Sequence, residues 1–132
     1  MKKCVFILLV FTSLISFGQT EKVSMIDYVE VLNGNKEEAL FYYQNNWEQL
    51  RKKAIAKGYI DSHQLLETVP TAETPFTFIL ITTYKNKRQY DNSETHFQEL
   101  IEERGELKLL NSKKPPEFRK VILHNDSVLH WN

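Results

Sequence analysis

The stretch from Asn35 to Gly58 constrains the fold most, because it reads as one long amphipathic helix with both ends marked. Asn35 suits an N-cap, and Glu38 three positions on completes a capping-box pattern. Glu37 and Glu38 oppose the positive end of the helix dipole, and Lys52, Lys53 and Lys57 oppose the negative end. Gly58 fits the left-handed residue past the last turn. Leu40, Tyr43, Trp47, Leu50 and Ala54 recur at steps of three and four and form one apolar stripe. At its rise per residue such a helix is about 33 Å long, enough to cross a small sheet. Tyr43 and Trp47 read as core packing; the alternative is that one of them lines a ligand cavity.

The second constraint is Phe76 to Tyr84, rich in aromatic and β-branched residues and free of Gly and Pro, which reads as a strand. Phe76, Phe78, Leu80 and Tyr84 share one face, and Ile79 and Ile81 take the other with Thr77 and Thr83. Val23 to Leu32 is an earlier strand, also apolar on both faces, which suggests a central position. Tyr59 to Val69 alternates poorly and suits an edge strand. Lys85 to Asn92 is a polar loop with room for a short helical turn. Asn92 or Ser93 caps a second helix that buries Phe97, Leu100 and Ile101, with Gly105 either ending it or tolerated inside it. Pro115-Pro116 reads as a stop before a strand from Phe118 to His124. Asn125-Asp126 reads as a turn, after which Val128 to Trp131 can pair back.

The N-terminus is different in kind. Lys2 and Lys3 precede an apolar run from Cys4 to Ile15, and Ser16 and Gly18 put small residues before a cut. Residues 1–18 therefore read as a secretory signal peptide cleaved before Gln19, leaving 19–132 as a single domain, secreted or periplasmic. Cleavage removes the one cysteine of the chain, so no disulfide or thiolate chemistry is expected. It also removes two of 17 basic residues against 17 acidic ones. The resulting mixed, faintly acidic surface argues against nucleic acid and, after cleavage, against a membrane as partner.

The order β-α-β-β-α-β is the split-βαβ, ferredoxin-like pattern. It predicts an α+β fold: a four-stranded antiparallel sheet with both helices on one face. The other face then lacks a cover although the central strands are apolar on both sides. A second copy of the same sheet is the simplest cover, so the expected partner is the chain itself, as a homodimer. The order of elements, the leader and the apolar second face resemble the dimeric α/β-barrel superfamily. That group holds antibiotic-biosynthesis-type monooxygenases, haem-degrading enzymes and NIPSNAP-like proteins. Tyr28-Val-Glu-Val-Leu-Asn-Gly34, a helix carrying Trp47 and a strand ending at Tyr84 are similar to uncharacterised secreted bacterial members. The resemblance covers most of residues 23–124 and implies two sheets packed face to face. No catalytic residue of those enzymes transfers position by position, so a catalytic set is not assigned.

Chemistry-bearing clusters are sparse. No Gly-x-Ser-x-Gly elbow occurs, and the four glycines form no phosphate cradle. The histidines are His63, His96, His124 and His130. His124 and His130, with Asp126, could share a metal only if the chain doubles back between them, and no helical ligand motif supports a metal. The expected cofactor set is none. The candidate ligand-binding residues are the strand polars Tyr28, Glu30, His63, Tyr84 and His124, with Trp47 behind them. The reading these support is a non-enzymatic homodimer holding a small apolar or aromatic ligand between its sheets. The alternatives implied by the resemblance are a cofactor-independent oxygenase-like enzyme and a haem-handling protein using His63 or His124.

Overall fold

The computed structural model describes residues 21–131. The proposed leader and its cut before Gln19 lie outside the described residues. The elements are β1 (Val23–Val31), α1 (Lys36–Tyr42), a π-helical turn (Tyr43–Trp47), α2 (Glu48–Ala56), β2 (Ser62–Glu67), β3 (Phe78–Tyr84), α3 (Lys87–Asp91), α4 (Ser93–Arg104), α5 (Pro115–Phe118) and β4 (Arg119–Leu129). The strands form one antiparallel sheet in the order β2-β3-β1-β4, with the helices packed on one face. This is the expected ferredoxin-like α+β fold, with β2 at an edge and β1 and β3 in the centre.

The register decides which side chains meet the helices. Val23, Met25, Asp27 and Val29 of β1 stand opposite Tyr84, Thr82, Leu80 and Phe78 of β3 on the helix side. Two apolar clusters hold the layers together there. One joins Val29, Ala39, Tyr43, Phe78, Leu80 and Phe118; the other joins Leu50, Ala54, Ile60, Tyr84 and Leu100. The opposite face carries Ile26, Tyr28 and Glu30 from β1, Ile79 and Ile81 from β3, Gln64 and Leu66 from β2, and Leu123 and Val128 from β4. No helix covers it.

Several local expectations need correction. Residues 36–56 are helical throughout, and Gly58 takes φ +72° as its place after the helix demands. The capping box is not formed. Asn35 instead donates to the Glu117 carbonyl and accepts from Lys113 Nζ at 2.6 Å, while Glu38 accepts from Asn111 and Lys113. Both residues are spent on docking the 111–117 loop. The π turn adds one residue mid-helix, so the buried positions become Ala39, Tyr43, Asn46, Leu50 and Ala54, and Leu40 and Trp47 are only partly buried. Asn46 is 1% exposed. Its Nδ2 donates to the Lys108 carbonyl at 2.7 Å and its Oδ1 accepts from the Lys108 N–H at 2.8 Å, fastening the 105–110 segment.

Gly105, at φ +72°, ends α4. Pro115 does not stop the chain but opens α5, where its missing N–H costs nothing in the first turn. Phe76 leaves the face of Phe78 and sets its ring edge-on to Tyr28, centroids 4.9 Å apart. The turn expected at Asn125-Asp126 is instead an irregularity within one eleven-residue strand: the pairing slips between Ser24 and Ile26, and again between Tyr28 and Val29. The first slip reverses the alternation, so His124 faces the helices and His130 the open side, where its Nε2 lies 2.6 Å from Ser24 Oγ. The two cannot converge on one ion.

Candidate functional site

The helix layer does not cover the whole sheet. α4 packs on α2, with Leu50, Ala54 and Leu100 in one cluster and Lys57 bridging to Glu99 and Glu103 at 2.9 and 3.0 Å. The β4 flank of the sheet is left open beneath α4: Val121, on the helix side opposite Val29, is 40% exposed. A cleft of about 270 Å³ results. Trp47, Leu50, Leu80, Ile101 and Val121 give it apolar walls. Arg51, Arg104, Arg119, Tyr43 and Asp27 give it polar ones.

Each arginine is placed by its element. Arg51 follows Trp47 by one helical turn, and its guanidinium lies 4.4 Å from the ring centroids of both Trp47 and Phe97. Its Nε donates to Thr82 Oγ1 at 3.1 Å. Burial pulls its pKa down to about 10, so it stays charged at neutral pH. Arg119 stands opposite Val31 in β4, 5.2 Å from the Tyr42 ring. Arg104 reaches in from the last turn of α4. Among the described residues none of the three forms a salt bridge with a carboxylate. The Arg104 Nε, the Arg119 Nε and the Tyr43 hydroxyl are buried with no hydrogen-bond partner among these residues, while Arg119 Nη2 donates to the Tyr42 hydroxyl at 3.5 Å. Tyr43 is 4% exposed, and burial pushes its hydroxyl pKa well up, so it remains a neutral donor.

Asp27 is the acidic member. It meets His124 Nδ1 across the β1–β4 pair, while His124 Nε2 lies 3.5 Å from Asp126. The contact with Asp27 raises the His124 pKa above its ordinary value. A neighbouring hollow of about 540 Å³, between Met25, Tyr84, Tyr90, Phe97 and Asp126, shares Arg51 as its wall.

The six residues singled out from sequence divide between the two faces. Tyr28 and Glu30 lie on the open face, Tyr28 against Phe76 and Glu30 opposite Lys120. Trp47, His63, Tyr84 and His124 lie on the helix side. Trp47 meets His63 edge-on with centroids 5.8 Å apart, and burial lowers the His63 pKa. Tyr84 is buried, its hydroxyl donating to Met25 Sδ at 3.5 Å. The sequence reasoning passed over Arg51, Arg104, Arg119, Asp27 and Asn46. A signal for two of them exists: Arg51 follows Trp47 by four, and Arg104 follows Leu100 by four, so each basic residue is in phase with an apolar stripe.

Compared with protein-family models, curated proteins and solved structures, the chain matches none. Among the described residues no helix is long and apolar enough to cross a membrane, and no three His, Cys, Asp or Glu side chains gather to hold a metal ion.

Proposed function

We propose that the protein is a secreted homodimer of the dimeric α/β-barrel type that binds a small molecule, and that the ligand enters the cleft between helices and sheet. The observation that carries the ligand reading is the composition of that cleft. An apolar wall of Trp47, Leu50, Leu80 and Val121 stands beside three buried donors, the Tyr43 hydroxyl and the Nε of Arg104 and Arg119, that have no partner among the described residues. Small-molecule sites combine apolar walls with a few convergent polar groups in this way. A buried donor without an acceptor costs about 1–3 kcal/mol, so these groups favour an acceptor, from water or from a ligand, in the cleft. The sequence-level expectation put the ligand between two sheets. On the open face Tyr28, Glu30, Gln64 and the Ser24–His130 pair are set among Ile26, Ile79 and Ile81.

The homodimer rests on that open face. Ile26, Tyr28, Ile79 and Ile81 form its centre, and Leu66 and Leu123 at its edges are 40% and 51% exposed. A contiguous apolar sheet face of this kind is what a two-fold partner covers. Ligand cleft and dimer face then lie on opposite sides of one sheet.

Thermal melting with a panel of small aromatic compounds tests the ligand reading, since a compound specific to the folded state raises the melting temperature. Val121→Trp, at an exposed position, fills the cleft without disturbing the buried clusters. A compound that stabilises the wild type and not Val121→Trp supports the reading. Equal stabilisation of both places the ligand elsewhere and overturns it.

A further inference from the structure

The charge of the cleft specifies its ligand more narrowly, an inference that rests on the cleft reading above. Three arginines, Arg51, Arg104 and Arg119, line a space of about 270 Å³. The one carboxylate lining the same space, Asp27, is held by His124. The local balance is therefore positive. Each of these arginines is half-buried: Arg51 is flanked by Trp47 and Phe97, and the Nε–H groups of Arg104 and Arg119 are buried with no partner among the described residues. Guanidinium presents its N–H groups as a planar fork matched to oxyanions. Tyr43 adds a neutral buried hydroxyl donor.

We infer that the cleft is an oxyanion site for a small organic acid: the acid group meets Arg104, Arg119 and the Tyr43 hydroxyl, and an apolar, planar body lies along Trp47, Leu80 and Val121. The apolar walls exclude a bare inorganic ion as the preferred occupant, because they would remain half-wetted around it. The small volume favours a single-ring body over an extended chain. Arg51 acts chiefly as a wall, since its Nε is engaged by Thr82 and its faces by aromatic rings.

The test is calorimetric titration of the purified protein with four probes of nearly one shape: benzoate, phenyl phosphate, benzyl alcohol and benzylamine. Benzoate or phenyl phosphate should bind at least tenfold more tightly than benzyl alcohol, and benzylamine least of all. The ratio of the two acids tells carboxylate from phosphate. Arg119→Gln and Arg104→Gln should each weaken the acid at least tenfold and leave benzyl alcohol within about twofold, and Arg119→Lys should recover part of the loss. Using both variants guards against one that fails to fold. If benzyl alcohol binds as tightly as the acids and Val121→Trp abolishes both, the oxyanion inference is overturned while the cleft reading stands. If the acids bind equally to Val121→Trp, both fall. Inorganic phosphate binding as tightly as phenyl phosphate would also overturn the organic-acid assignment.

Discussion

His124 and Asp27 join β4 to β1 at the mouth of the cleft, and their contact makes a titration expectation. The Asp27 hydrogen bond raises the folded-state pKa of His124 above its ordinary value of about 6.5. A histidine whose pKa rises on folding stabilises the fold fully below its unfolded pKa, and that gain is lost as pH climbs through the folded value. His124→Gln should therefore destabilise the protein more at pH 5.5 than at pH 8.5 in denaturant melts. The His124 ring should titrate above 6.5 by NMR, and Asp27→Asn should bring it back; a midpoint at or below 6.5 contradicts the pairing. His124 was legible from sequence as a strand polar facing the interior. Its partner was not, because Asp27 meets it only through a strand register that two slips in β4 have set. The arginines were hidden for a related reason. A basic residue in phase with an apolar stripe is ordinarily taken as a stem lying over the core with its head in water. Only the tertiary placement of α4 sets Arg104 at the cleft with its Nε buried.

At the scale of elements, the long helix was legible because its caps, charges and stripe agree, as was β3 from its composition. The π turn was not. It inserts a single residue into the 3.6 period, which moves Asn46 into the core and Trp47 toward the cleft. The polar run Gln44-Asn45-Asn46 is its nearest sequence sign: Asn45 and Asn46 donate to the carbonyls of Phe41 and Tyr42 at 2.9 Å each. Asn46 also holds the Lys108 backbone from both sides. Asn46→Ala should cost about 1–3 kcal/mol, the range for stranded buried partners. It should also speed hydrogen exchange at the Lys108 amide. Asn45→Ala, with one bond at a partly exposed site, should cost under about 1 kcal/mol. Equal costs for the two would contradict the fastening role of Asn46. The misreading of Asn125-Asp126 as a turn has the same physical origin as the missed π turn. Turn-forming residues also suit a bulge, and only the partner strand decides between them.

At the scale of the molecule, the sheet presents two apolar faces and the helices cover one. The register assigns Phe78 to the covered face and Ile79 to the open one. Ile79→Lys should leave the circular dichroism intact and halve the mass seen by light scattering. Phe78→Lys should unfold the chain by burying an unpaired charge. A wild type that is a well-folded monomer at tens of micromolar would contradict the dimer. The ligand reading is tested most directly by its location. Benzoate titrated into isotope-labelled protein should shift the Nε–H signals of Arg104 and Arg119 and the Trp47 indole signal, leaving the methyl groups of Ile26, Ile79 and Ile81 unmoved. Shifts confined to those isoleucines would put the ligand between the sheets, and would contradict a binding cleft on the helix side.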